Sequence, residues 1–486
     1  MFFRLVKKEI LEHLMSLRFA IACVLCLLVI LSSLLVRCID YGQVSDDYVQ
    51  ESKMTAYKLS QRDRIWSLPW QGLTLHRAPN PMKILVRGAD DSNGGAAQVN
   101  AYEQPRLLMA AVVNKAVALF PKMDLVSFVG LIMSLMALVF GYDAICGEKE
   151  RGTLRLMLSY SVPRHLVLLS KWIGGYVMLI VPFLLTVLVG AVLLAARSDV
   201  NFTSSQWGRL GIIVLLAMLY IAVMYTLAIL ASTLAARAST SIMVLLSLWV
   251  ILVLGVPNLA PHVAGAIVPA RNAQEIQTAK ETLATDLRKQ HEDKMKAYLK
   301  KRNMPEKWWS WFPLPWGDEK QKLFDFLIFR YQNEKSTAFT QQSEWAKIDQ
   351  KNAQRLGEQA ELSRWISRSS PYSCFAISAT ELADTGAMDS DRYQKQLSDF
   401  QTKWIDFSFN ECIAGEQYVI DNKGNYPGPW FSELEKRKVT IPQFNYVPPA
   451  AGDYASAVGI DCGILAGMII VFFMLTYLRF LRYDVR

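Results

Sequence analysis

Residues 210–231 read LGIIVLLAMLYIAVMYTLAILA and include no Asp, Glu, Lys or Arg. An apolar run of about 20 residues is the length that an α-helix needs to cross a bilayer. Charged residues make up 20% of the sequence, below the roughly 25% that is usual in soluble proteins. The six predicted spans, all nearly free of charge, are 19–37, 123–142, 173–196, 210–231, 240–258 and 457–478. The sequence therefore predicts an all-α polytopic membrane protein with six transmembrane helices.

The short connecting segments carry the positive charge, and Lys and Arg in such segments concentrate on the cytoplasmic side of a membrane. These basic residues are Arg4, Lys7, Lys8, Arg18, Lys149, Arg151, Arg155, Arg164, Lys171, Arg237, Arg479, Arg482 and Arg486. With six spans they all fall on one side, so both termini are predicted to be cytoplasmic (N-in/C-in). The formal net charge of +9 then reflects topology and attraction to anionic lipids, and nucleic-acid binding is not indicated.

Residues 1–18 have the pattern of an amphipathic helix. Phe3, Val6, Ile10 and Leu14 share one face, and charged residues largely occupy the other. Such a helix is suited to the cytoplasmic membrane interface. A simple helical extension of the first span is the alternative interpretation.

Two long segments are predicted to lie outside the membrane. Residues 38–122 mix helix-like and strand-like stretches, whereas 259–456 are mostly helical in pattern. Within the second segment we expect two long antiparallel helices, over about 271–302 and 319–368. The external domain is therefore predicted to be mainly helical with some β-structure, and the cytoplasmic side to hold a loop at 143–172 and a tail at 479–486.

The second external segment contains an aromatic cluster and two cysteines. The cluster comprises Trp308, Trp309, Trp311, Phe312 and Trp316. Its rings either pack a hairpin tip or touch the membrane interface, or they form a recognition surface for a periplasmic partner or an amphiphilic substrate. Cys374 and Cys412 are candidates for a disulfide in an oxidising compartment.

Enzyme signatures are absent from the sequence. The five histidines are scattered without an HExxH pair, so no metal site is predicted. Neither a GxSxG nucleophile elbow nor a GxxxxGK[ST] phosphate-binding loop occurs. We therefore expect no catalytic residues and no cofactor in this chain. The remaining enzymatic hypothesis is a membrane-anchored enzyme with its site in 260–455.

The charged loop at 143–172 includes GEKERGTLRLMLSYSVPRHLVLLSK between two apolar spans. It predicts a short helix, a turn and a second helix that begins at Pro163. A charged helix with an apolar face is suited to docking a soluble partner. An amphipathic loop on the inner leaflet is the alternative from the residues alone.

The run Glu148-Lys149-Glu150-Arg151-Gly152-Thr153-Leu154, followed by Pro163 and LLSKW, resembles the type-2 ABC exporter permease family. This resemblance implies a coupling helix that contacts a separate ABC ATPase, which would hold the ATP and Mg. The residues implied in that contact are Glu148, Glu150, Gly152 and Thr153, with Leu154 on the same helix and Arg151 and Arg155 flanking. It also implies a second permease copy or a homologue, and a bacterial inner membrane with the large domain on the periplasmic side.

The long external segments depart from the compact pattern of that family and resemble a subgroup with large extracytoplasmic insertions. The predicted function is an ABC permease subunit that couples ATP hydrolysis to export. The alternative is a mechanotransmitting subunit that drives a periplasmic partner without transporting a substrate. The family also implies a short re-entrant element before the last span, for which Pro257, Pro261 and Pro269 predict a broken helix.

Overall fold

The computed structural model describes residues 2–60, 67–88, 95–108, 123–159, 163–197, 200–270, 272–304, 320–421 and 441–482. Within these ranges six helices are long and apolar enough to cross a membrane. We number them span 1 (Leu17–Ser60), span 2 (Leu125–Gly141), span 3 (Arg164–Ala195), span 4 (Ser204–Leu234), span 5 (Ala238–Ile267) and span 6 (Ala451–Leu481). The prediction of a mostly helical protein with six apolar helices is confirmed.

Span 4 lies at the centre of the bundle and packs against spans 2, 3, 5 and 6. Tyr220 and Tyr225 on this helix are fully buried. Small residues allow the close approach of its neighbours: a Cβ at Gly141 of span 2 would lie 2.5 Å from the Cβ of Ala228. Helices in lipid associate largely through such close packing, because water does not drive apolar faces together there.

The prediction that prolines break the helix is wrong for Pro257 and Pro261, whereas Pro269 lies beyond the end of span 5. The helix runs through Pro257 and Pro261 and ends at Ile267. A π-helical segment, Val250–Gly255, ends two residues before the first of these prolines. A widened turn of this kind accommodates the missing N–H and the ring of a proline, so the helix axis continues.

Three short helices lie at the end of the bundle that we call the loop end. They are α1 (Phe2–Leu14), α2 (Cys146–Arg151) and α3 (Thr153–Ser159). The chain returns to this end after span 6, where Arg164 donates to the carbonyl of Leu481 at 2.7 Å. The opposite end, which carries the large domain, is the domain end.

The domain has a second hydrophobic core, separate from that of the spans. An antiparallel sheet contributes β1 (Leu73–His76), β2 (Ala96–Val99) and β3 (Arg106–Leu108), in that order. Leu73 pairs with Val99, and Ala96 pairs with Leu108. Two single-turn helices flank β1, at Leu68–Gln71 and Pro81–Ile84.

Four helices lie between spans 5 and 6 in the described residues: α4 (Ala273–Lys301), α5 (Lys320–Ser367), α6 (Pro371–Leu382) and α7 (Ala387–Asp421). Helices α4 and α5 are antiparallel, since Lys280 bonds Asp349 near one end and Arg302 bonds Asp325 near the other. Trp404 of α7 is fully buried in the second core. Helix α6 belongs to the span core instead.

Two sequence predictions concern residues within the domain. No disulfide joins Cys374 to Cys412, because Cys374 lies in the span core and Cys412 in the second core. The aromatic cluster Trp308, Trp309, Trp311, Phe312 and Trp316 lies outside the described residues.

Candidate functional site

The loop after span 2 is attached to span 4 by its first turn. The backbone N–H groups of Ile145 and Cys146 both donate to Ser232 Oγ, at 2.9 Å and 3.1 Å. Ser232 is fully buried. Its hydroxyl therefore satisfies two amides at the start of α2 that have no partner within the helix.

A second attachment joins the end of span 2 to the start of span 1. Arg18 donates to both oxygens of Asp143, at 3.0 Å and 2.8 Å. Paired N–H···O bonds of this kind fix orientation as well as distance. Span 1 and the loop are thus joined at the residues where each of them begins.

A buried cluster of three charges lies beneath α2. Lys171 of span 3 donates to Glu148 Oε1 at 2.6 Å and to Glu9 Oε1 at 3.1 Å. Lys171 is 5% exposed, Glu9 7% and Glu148 9%. Charges removed from water persist only when they are paired and hydrogen-bonded. The cluster therefore fixes α1, α2 and span 3 to one another.

Glycine permits the close contact between α1 and span 3. A Cβ at Gly174 would lie 2.7 Å from the Cβ of Glu9. The next residue, Gly175, faces Tyr225 of span 4, whose hydroxyl would be 1.9 Å from an added Cβ. This glycine pair lets α1 and span 4 approach span 3 beside Lys171.

The loop is also bonded to the end of span 4 and to the start of span 5. Lys149 donates to the carbonyls of Thr233 at 2.6 Å and Ala235 at 3.3 Å. Glu150 Oε1 accepts from the backbone N–H of Ala238 at 3.0 Å. A carboxylate at a helix N-terminus is favourable because the first amides and the helix dipole present positive charge there.

Gly152 forms the turn between α2 and α3, with φ at 73°. Glycine adopts this left-handed conformation without the steric cost that a Cβ would bring. After the turn, Thr153 Oγ1 donates to the carbonyl of Glu148 at 3.4 Å. Leu154 then packs fully buried in the span core.

The predicted coupling residues are thus divided between two faces. Glu148 and Leu154 point into the bundle, and Glu150 is bonded to the start of span 5. The exposed residues are Glu150, Arg151, Gly152, Thr153, Arg155 and Leu156. Leu156 is 63% exposed. The loop therefore has a small exposed surface and a bonded side, which we call its base, that contacts α1 and spans 3, 4 and 5.

No group of metal-ligating side chains occurs in the ranges that the structure covers. The described part of the loop is bonded to α1 and to spans 3, 4 and 5. A model of ABC-2 family transporter proteins matches residues 3–485 of this chain.

The chain belongs to the ABC-2 family.

Two curated relatives, from different bacteria, are both described as probable ABC transporter permease proteins. The probable ABC transporter permease protein NosY of Pseudomonas aeruginosa is 32% identical over 135 residues, which are 27% of this chain and 48% of that protein. The probable ABC transporter permease protein NosY of Stutzerimonas stutzeri is 47% identical over 51 residues, which are 10% of this chain and 18% of that protein. The chain thus spans about half the length of the first relative and about a fifth of the second.

Membership of the ABC-2 family, with six apolar helices, makes the chain a multi-pass membrane protein. The family is one of permease subunits and not of nucleotide-binding subunits. The sequence analysis did not identify Glu9, Lys171 and Ser232 as partners of the loop after span 2. A signal existed for Lys171, because it precedes the apolar run of span 3 and a buried cation requires a carboxylate partner.

Proposed function

We propose that this chain is the permease subunit of an ATP-binding cassette transporter, and that it couples ATP hydrolysis by a separate ATPase subunit to export across the bacterial inner membrane. ATP and Mg would be bound by the ATPase, which docks at the loop end on the cytoplasmic side. A second permease copy or a homologue completes the membrane part. The large domain then lies on the periplasmic side.

The observation that carries this proposal is the division of the loop into an exposed surface and a bonded base. Arg151, Thr153, Arg155 and Leu156 offer cationic, hydroxyl and apolar groups to a partner. Directly beneath them, Lys171 ties α2 to α1 and span 3. Movement of a docked ATPase would therefore displace several helices together, because packed elements move as units and not by continuous deformation.

The experiment replaces the exposed residues and leaves the base intact. Arg155→Glu combined with Leu156→Asp should weaken binding of the ATPase by about 30-fold, the effect of losing roughly 2 kcal/mol at an interface hot spot. Co-purification of the ATPase with the permease measures that loss. ATPase activity and transport should fall with it.

The chain contains a matched control for this variant. Arg355 and Leu356 repeat the same residue pair on α5, where Leu356 is 44% exposed. Arg355→Glu combined with Leu356→Asp should leave ATPase binding unchanged. Equal binding in both double variants would contradict docking at the loop. Glu150→Arg is a separate test of coupling, since it removes the acceptor for the Ala238 amide.

The alternative function is transmission of force to a periplasmic protein without a transported substrate. The domain favours it, because the domain has its own core and is joined to spans 4 and 6 by two buried ion pairs. Substrate-dependent stimulation of ATPase activity in proteoliposomes would support export. Stimulation by a co-purified periplasmic protein, with none by small molecules, would support force transmission.

A further inference from the structure

Residues 364–389, which we call the junction segment, connect the domain to the spans. The segment begins at the end of α5, includes α6 and enters the first turn of α7. Helix α6 is packed among the spans: Phe375 stacks on Tyr220 of span 4 with ring centroids 5.4 Å apart. Tyr372 fills the space beside Gly130 of span 2, where an added Cβ would lie 2.2 Å from its ring.

The first buried ion pair of the segment reaches span 6. Arg368 Nε donates to Asp461 Oδ1 at 2.7 Å, and Ser378 Oγ donates to Asp461 Oδ2 at 2.9 Å. The side chains of Arg368 and Asp461 are 6% and 1% exposed. Both oxygens of the span 6 carboxylate are thereby bonded to the junction segment.

The second ion pair reaches the start of span 4. Arg209 Nη1 donates to Asp384 Oδ2 at 2.5 Å. The hydroxyl of Tyr454, at the start of span 6, donates to the other oxygen of Asp384. Asp384 thus links two spans through one carboxylate in the turn between α6 and α7.

The third ion pair reaches the sheet. Arg77, directly after β1, donates to both oxygens of Asp389 at 3.0 Å and 2.7 Å. The hydroxyl of Tyr446 donates to the same carboxylate. Asn80 adds a bond from its side-chain amide to the carbonyl of Ala383 at 2.7 Å. Asp389 therefore holds the sheet to the start of α7.

Stability alone does not account for three buried ion pairs. Apolar residues of similar volume often stabilise a core as well or better, because each charge must first be removed from water. What these pairs add is fixed geometry, because each carboxylate accepts hydrogen bonds on both of its oxygens. Asp384 faces the spans and Asp389 faces the sheet across one short turn, so the two carboxylates fix the angle between the bundle and the domain.

We propose that Asp384 and Asp389 are positioning residues, which make the domain move as a rigid attachment of spans 4 and 6. This inference rests on the proposed function, because ATP-driven movement of the spans supplies the displacement that the junction segment transmits. The domain would then change its contacts with a periplasmic partner or a second copy in step with the ATPase.

The test compares hydrogen exchange in the complete complex with its ATPase, before and after trapping with ATP and vanadate. In the natural protein we expect ATP to change exchange both in residues 147–157 and in residues 397–409 of α7. Arg77→Gln combined with Asp389→Asn should keep the change at the loop. In this variant the ATP-dependent change in hydrogen exchange in α7 should be smaller by about fivefold or more, the lower end of typical coupling between sites.

Lys347→Gln combined with Glu344→Gln is the control, because it neutralises an exposed ion pair in the same domain; it should leave both changes intact. If the first variant does not fold, Arg209→Gln combined with Asp384→Asn tests the other side of the turn with the same expected result. A change in α7 that persists in a folded junction variant overturns the proposal. The proposal is also overturned if ATP changes exchange at the loop of the natural complex but not in α7. If ATP changes exchange at neither place, the proposed function is overturned as well.

Discussion

Replacing Lys171 with Met removes the cation that two buried carboxylates share. Glu9 and Glu148 are each less than one-tenth exposed, so water cannot take over the role of the ammonium group. Methionine fills a similar volume without a charge, which separates the electrostatic effect from a packing defect. The variant therefore reports directly on the link between α1, α2 and span 3.

We expect Lys171→Met to lower the free energy of unfolding by about 3–5 kcal/mol, the usual cost of leaving a buried charge without its partner. Unfolding by SDS titration in mixed micelles measures the difference. In the complex, ATP hydrolysis should continue while transport or domain movement is lost.

The triple variant Lys171→Met, Glu9→Gln and Glu148→Gln is the decisive control. It removes all three charges together, so no buried carboxylate is left without a partner. We expect it to recover most of the stability lost in the single variant, while coupling stays impaired. The reasoning is refuted if the single variant loses less than about 1 kcal/mol, or if the triple variant is no more stable than the single one.

Two further predictions concern packing and pH. Gly175→Ala should lower the free energy of unfolding by about 1–3 kcal/mol through overpacking, because the added Cβ would lie 1.9 Å from the Tyr225 hydroxyl. Gly211→Ala is the control, since an added Cβ there meets no atom within 4 Å. A thermal unfolding assay should show the loss for Gly175→Ala and none for Gly211→Ala. Burial lowers the pKa of His291 below 6.5, so the unfolded chain takes up its proton first as pH falls. Between 6.5 and the lower folded-state pKa, the free energy of unfolding should fall by at most about 1.4 kcal/mol per pH unit from this group. Urea titrations at several pH values should show a smaller decrease of that free energy with falling pH in His291→Gln.

The spans were predictable because each depends on composition over a single window. Residues 210–231 are apolar enough to indicate span 4 without knowledge of any other part of the chain. The course of span 5 was not predictable in the same way. The rule that proline interrupts a helix ignores the π-helical segment Val250–Gly255, and such a local adjustment leaves no clear trace in the sequence.

The loop shows a different limit. Its sequence predicted that charged residues cluster there, but not which ones face the bundle. Glu148 points inward because Lys171 is available, and the third member of the cluster, Glu9, is 162 positions away from that lysine in sequence. Pairings over such separations depend on how helices pack, which hydropathy and local motifs do not specify. The same holds for Arg77 and Asp389, on elements far apart in the chain.

Span 1 does more than cross a membrane. It is one helix of 44 residues, about 66 Å long at 1.5 Å per residue, and roughly twice the apolar thickness of a bilayer. Its base is held by Arg18, and far along it Thr55 is bonded to His76 on β1 at 2.8 Å. A tilt of about 10° at the base would carry the far end through about 11 Å. In the proposed mechanism the helix would act as a lever arm, and the displacement of the domain would exceed the displacement at the loop.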